Sequence, residues 1–271
     1  MQGLKSFVPT EKKIEYINQL LRVGFHTLDC GSFVSPKAIP QMRDTDAVLS
    51  ALDLSESQTK LSVIVANKKG IELAKDKKTV TYLGYPFSVS EEFQRRNTNK
   101  SMTESLDIVK FLVDECSKQG KESVVYISMG FGNPYDEEWN ATIVEDWVGK
   151  ISEIGVNSFS ISDTVGVSTP DDISEVFKRL LISFPDNEFG AHFHTRPDQW
   201  LEKVDSAWRN GCKRFDGAIK GYGGCPMAKD DLVGNMATEN LISYFRNHHI
   251  EHGLNYEEFN AAQIIAASIF D

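Results

Sequence analysis

The residues best suited to chemistry lie in Gly190-Ala191-His192-Phe193-His194. In an extended strand, side chains two apart leave the same face, so both imidazoles point one way. Neutral imidazoles so placed can share one divalent cation, and two histidines packed in a core or on a surface are the plain alternative. A second cluster is Gly221-Tyr222-Gly223-Gly224-Cys225-Pro226-Met227, where three glycines surround a thiol. Such a loop can close over a site, and its cysteine can act as proton donor or nucleophile when its pKa is shifted. An ordinary free cysteine in a surface turn is the competing reading. Further on, Gly234-Asn235-Met236-Ala237-Thr238-Glu239 offers an amide oxygen, a hard ligand acceptable to Mg²⁺ or Mn²⁺. Asn235 could equally be the N-cap of the next helix. Asp163, in Ser162-Asp163-Thr164-Val165-Gly166, is a candidate base or supporting carboxylate, or else a turn residue. His248, His249 and His252 sit on a polar segment and read as solvated surface.

Short β-branched and aromatic runs alternate with amphipathic stretches of helical length, the signature of parallel βαβ units. Strands are expected near Phe25–Cys30, Leu61–Ala66, Val80–Leu83, Ser123–Ser128, Ser158–Ile161, Phe189–His194 and Arg214–Gly217. Helices fit Glu11–Val23, Ser101–Gln119, Ala141–Ile154, Thr169–Ile182 and Asn255–Phe270, with Thr169-Pro170 as an N-cap and N1 pair. The last of these extends the chain beyond the repeat. A doubly wound open sheet should show a Gly-rich loop after its first strand, and none is visible. The expectation is a TIM-type (β/α) barrel, which has eight strands. Here the series opens on a helix, so the first strand is expected to lie upstream of Met1. No linker interrupts the rhythm, and residues 1–271 read as one domain.

Composition narrows the partners. The net charge is −10 over 271 residues, which disfavours nucleic acid and anionic membranes. No run of about 18 apolar residues occurs, and the start MQGLKSFVPT lacks the apolar centre of a signal peptide. Cys30, Cys116, Cys212 and Cys225 are scattered, without CxxC pairs, as expected in a reducing cytoplasm.

Ser32-Phe33-Val34-Ser35-Pro36-Lys37 with Pro40-Gln41-Met42, then Asn97-Thr98-Asn99, Ser162-Asp163-Thr164-Val165-Gly166, the His192/His194 pair and Gly223-Gly224-Cys225-Pro226 closely resemble hydroxymethylglutaryl-CoA lyases. The resemblance runs from Gln2 to about Phe245. It implies His192, His194 and Asn235 as ligands of Mg²⁺ or Mn²⁺, and Cys225 as the catalytic loop cysteine. Asp163, Glu239 and Asp29 would hold the family's acidic positions. Gln2, Lys5 and Ser32 would contact the substrate, an acyl-CoA, with Lys220 a further cation near the mouth. The family's first strand ends in Arg-Asp-x-x-Gln, with Asp on the metal and Arg on the developing enolate; Gln2 matches that Gln, so the Arg and Asp fall before residue 1. Three further departures stand out: Thr195 follows His194 where Asp is usual, Asn133 precedes Pro134-Tyr135 where many members carry Cys, and the stretch from Cys225 to Asn235 is one residue longer. A homodimer is compatible with this reading. The same barrel type also condenses acetyl-CoA with 2-oxoacids, and a barrel lacking the Arg-Asp pair could merely bind.

Overall fold

The structure is a computed structural model that describes Met1, Leu4 and residues 6–223 and 233–270. Its strands are β1 (Thr27–Ser32), β2 (Lys60–Ile64), β3 (Val80–Ser88), β4 (Glu122–Ser128), β5 (Ser158–Asp163), β6 (Glu188–Phe193) and β7 (Arg214–Asp216). Each pairs in parallel with the next, giving one sheet in the order β1 to β7. The helices are α1 (Thr10–Val23), α2 (Thr45–Ser50), α3 (Lys68–Ala74), α4 (Glu91–Thr98), α5 (Met102–Gln119), α6 (Ala141–Glu153), α7 (Pro170–Ser183), α8 (Trp200–Arg209), α9 (Thr238–Asn247) and α10 (Tyr256–Phe270). This is a TIM-type architecture with seven strands among the described residues. Among the described residues no ladder joins β1 to β7.

The curl of the sheet follows from one contact. Strands lie about 4.8 Å apart, so β1 and β4 would be roughly 14 Å apart in a flat sheet. Yet the Tyr126 hydroxyl of β4 donates to Asp29 of β1 at 2.6 Å. Only a sheet closing towards a ring brings those side chains together.

The two faces of the sheet divide the work. Outward-pointing Leu61, Val63, Leu83, Tyr85, Phe87, Val125, Ile127, Phe159 and Ile161 are fully buried. They pack against Ile108, Val109 and Leu112 of α5, Val144 and Val148 of α6, and Val176 and Phe177 of α7 in one cluster. Burying each such side chain contributes about 1.5–3 kcal/mol. The inward face carries Asp29, Ser62, Tyr126, Ser160, His192, Arg214 and Asp216. Gly190 stands among them because a Cβ there would come within 2.3 Å of Arg214 Nε.

Local rules fix the helix ends. Ser101 and Glu104 form a capping box on α5, and Thr169 and Asp172 another on α7, with Pro170 at N1. β3 runs on to Ser88, past the expected end at Leu83, because β4 pairs with it throughout. Pro86 is tolerated there since pairing with β2 stops at Gly84. Gln41 of the Pro40-Gln41-Met42 motif acts structurally, as its Oε1 accepts the Val8 amide at 3.0 Å and so holds the segment before α1. At the other end of the chain, α10 lies on α1, with Phe270 edge-on to Tyr16 at 5.9 Å and Gln19 donating to Glu258. Their cluster reaches Leu28 of β1 and Ile219 just after β7, and so spans from one edge strand to the other.

Candidate active site

β6 delivers the histidine pair. His192 occupies the inward face, opposite Asp216 of β7, while Phe193 turns outward into the core. His194 is the first residue past the strand, and its ring centroid lies 5.7 Å from that of His192. The strand alternation anticipated from the sequence thus sets both imidazoles at the C-terminal end of the sheet, where barrels of this type carry their active sites.

Asn235 joins them through the backbone. It bridges His194 in antiparallel fashion, flanked by Thr195 N–H to Gly234 O at 3.0 Å and Met236 N–H to Phe193 O at 2.9 Å. The helix-capping alternative is excluded, since α9 begins at Thr238 with Ala237 in the cap position. The Asn235 amide nitrogen donates to Tyr222 O at 3.1 Å, which among the described residues leaves its Oδ1 for another partner.

Charge is distributed unevenly over the pair. Burial, helped by the neighbouring His192, pulls the His194 pKa down to about 3, so this imidazole is neutral near pH 7. Burial also works against a charged His192, but the hydrogen bond and charge of Asp216, with Asp29 adding, outweigh it and raise its pKa. His192 Nδ1 lies 3.1 Å from Asp216. Asp216 in turn accepts from Ser160 at 3.0 Å. Burial alone would raise the Asp216 pKa, but His192, Arg214 and Ser160 together hold it low. Arg214 reaches Ser158 at 2.5 Å, Phe159 O at 2.6 Å and Glu188 at 3.0 Å, closing the interior at the opposite end of the strands.

Asp29 faces this network from β1. A register shift between Asp29 and Gly31 interrupts the ladder to β2 beside it, the kind of bulge that re-aims side chains near active sites. Crowding by protein raises the Asp29 pKa, opposed by the hydroxyls of Ser62 and Tyr126 and reinforced by Asp216. Solvent still reaches its carboxylate at the unpaired edge of the sheet.

Three expected residues turn out to be engaged elsewhere. Asp163 points to the helix side, as Phe159 and Ile161 do. It accepts from Val167 N–H at 2.9 Å, Ser168 Oγ at 2.5 Å and Lys203 Nζ at 2.7 Å. It is therefore a fastening for the loop after β5 and for Lys203, not a base at the mouth; strand parity past Ile161 decides this. Lys203 also donates to Gly166 O and His194 O, which ties the two strand ends together. The Ser32 hydroxyl is committed to Ile64 O at 3.2 Å and Val34 N–H at 3.3 Å. Glu239 accepts the Lys220 amide at 2.9 Å and Gln263 at 2.8 Å, holding the turn after β7 from behind. Gln2, Lys5 and Cys225 lie outside the described residues. Asp216, Tyr126, Arg214 and Lys203 were missed. The signal for the first three was present: polar residues two apart within runs already read as strands.

The HMGL-like family description matches residues 1–265. The chain belongs to the HMGL-like family. Its relatives include hydroxymethylglutaryl-CoA lyase YngG of Bacillus subtilis, 32% identical over 262 residues, 97% of this chain and 87% of that protein. Among solved structures, the Bacillus subtilis HMG-CoA lyase superposes with a TM-score of 0.91 at 32% identity, over 99% of this chain and 89% of that one. An HMG-CoA lyase from Acinetobacter baumannii, in complex with coenzyme A and 3-methylmalate, gives 0.91 at 26% identity, over 99% of this chain and 87% of the other. This HMGL-like chain thus shares its fold with solved HMG-CoA lyases over nearly its whole length.

Proposed function

We propose that this chain is a carbon–carbon lyase that cleaves 3-hydroxy-3-methylglutaryl-CoA into acetoacetate and acetyl-CoA. The observation that carries the reading is the gathering of His192, His194 and Asn235 at one strand end, in a chain 32% identical to a lyase of that name. No helix among the described residues is long and apolar enough to cross a membrane. The substrate is an acyl-CoA, in keeping with the coenzyme A complex of a structural neighbour.

The donor set suits a divalent cation in its chemistry. His194 is held neutral, Asn235 turns its amide nitrogen to Tyr222, and His192 engages Asp216 through Nδ1, so a cation would be met through Nε2. Two imidazoles and an amide oxygen are acceptable to Mn²⁺ or Mg²⁺. Among the described residues, no group of three or more His, Cys, Asp and Glu is gathered as a metal site, so a donor set here draws on the Asn235 amide oxygen beside the two imidazoles. A cation held there supplies Lewis acidity towards the substrate's hydroxyl and carbonyl oxygens.

The chain's own groups move the protons. Asp29, whose proton affinity is raised, accepts the proton of the tertiary hydroxyl. The bond between the carbinol carbon and the methylene next to the thioester breaks; the carbinol becomes the ketone of acetoacetate. The released electron pair forms the enolate of acetyl-CoA, and its carbon takes a proton from the Cys225 thiol. Asp163, Lys203 and Glu239 position the loops around this chemistry.

Acetoacetate and acetyl-CoA release in the presence of Mn²⁺ tests the reaction. Failure of both this chain and a strand-extended version to break that carbon–carbon bond would remove the assignment. His192→Ala and His194→Ala should each weaken Mn²⁺ binding by more than about 100-fold, beyond the loss typical of residues behind the ligands. Unchanged Mn²⁺ titrations for both variants would exclude this pair as ligands. Cys225→Ala should lower kcat with little change in melting temperature, since its three neighbouring glycines offer no side chains to pack. An equally active variant would remove Cys225 from the mechanism.

A further inference from the structure

We propose that Asp216 is a positioning residue that fixes the ring orientation and tautomer of His192, so that Nε2 faces the mouth as a bare lone pair. This inference rests on His192 being a cation ligand. The geometry behind it is local and specific. Asp216 sits directly across the β6–β7 ladder from His192, so their side chains leave the sheet side by side on the inward face. One carboxylate oxygen, Oδ2, meets both Nδ1 at 3.1 Å and the Ser160 hydroxyl at 3.0 Å. A carboxylate only accepts hydrogen bonds, and so it requires the proton of a neutral His192 to reside on Nδ1. The Tyr126 ring stands edge-on to the imidazole at 5.6 Å and 87°, and bounds the space into which the ring could turn. Tyr126 is itself held by its hydrogen bond to Asp29. Carboxylates behind metal-bound histidines set tautomer and ligand basicity in this way, and their loss typically costs about 10–100-fold in metal affinity. Arg214, two residues before Asp216, has Glu188 as its ion-pair partner at the far end of the strands.

The test combines two measurements. In metal-free protein labelled with ¹⁵N-histidine, spectra at alkaline pH should show His192 with a protonated Nδ1 and a bare Nε2. The resonance is assigned by its loss in His192→Gln. Asp216→Asn should allow the other tautomer, because an amide can donate as well as accept. Asp216→Asn and Asp216→Ala should both bind Mn²⁺ about 10–100-fold more weakly. Far-UV circular dichroism of the Asn variant, which keeps the shape of the side chain, separates this effect from misfolding. A protonated Nε2 in the unaltered protein overturns the proposal. So does wild-type Mn²⁺ affinity in both Asp216 variants while His192→Ala weakens binding. If His192→Ala leaves Mn²⁺ affinity unchanged, the ligand assignment itself falls, and the tautomer still decides the role of Asp216.

Discussion

Lys203→Ala is expected to destabilise the protein by about 3–5 kcal/mol, the range for removing one partner of a buried ion pair. Lys203 and Asp163 are each only 1% exposed and meet at 2.7 Å. Without the ammonium, Asp163 keeps its Val167 and Ser168 donors but loses the cation paired with it, inside protein from which water is excluded. A loss of that size is a large share of the roughly 5–15 kcal/mol that holds a typical domain folded. Urea denaturation measures it directly. The double variant Lys203→Met with Asp163→Asn should recover much of the loss, since a matched uncharged pair removes the buried charge. An unchanged urea midpoint for Lys203→Ala would mean that the pair is not buried in solution. The variant should also weaken Mn²⁺ binding, because Lys203 touches the carbonyl of His194.

The second large effect concerns the edges of the sheet. A chain extended ahead of Met1 by one strand of roughly ten residues, at about 3.3 Å per residue, should be more stable and less prone to aggregate. β1 and β7 each pair on one side only among the described residues, and open edges invite pairing with other chains. Each hydrogen bond the added strand makes contributes about 0.5–1.5 kcal/mol net. If that strand ends in the Arg-Asp pair implied by the lyase resemblance, activity should also rise. A cation facing a developing enolate is worth on the order of 10²–10³ in rate, and the aspartate adds a donor beside His192 and His194. The comparison is of melting temperature, Mn²⁺ affinity and carbon–carbon cleavage of the acyl-CoA in the two forms. Equality in all three would show that the edges need no further strand.

Much of this architecture was legible in the chain. All seven strands appear where short apolar runs predicted them, because outward-facing residues such as Val125, Ile127, Phe159 and Ile161 must alternate to reach the helices. The histidine pair was legible for the same reason, as period two sends both rings one way. Less visible were groups whose partners come from distant segments. Nothing near Asp163 in sequence announces Lys203, and nothing near His192 announces Asp216; only the curl and register of the sheet bring them together. At Asp163 the turn reading describes the bonds made, to the loop after β5, while the Ser32 hydroxyl bonds Ile64 O of β2 and the Val34 amide. Extension of β3 through Pro86 escaped notice because proline usually ends a strand, and here the neighbouring strand had already stopped.

The separation of an apolar outer layer from a polar interior has a consequence for how such a chain can change. Residues that hold the helices to the sheet never face the reaction, and residues that face the reaction pack against few helices. Substitutions at Ser62, Tyr126 or Ser160 can therefore remodel the chamber while the outer layer retains the fold, so new chemistry and folding draw on different positions. Arg214, braced by Ser158 and Glu188 at the closed end, marks the floor of that chamber. Directed evolution aimed at new acyl-CoA substrates has its natural library on the inward strand positions above that floor, with the outward ones left untouched.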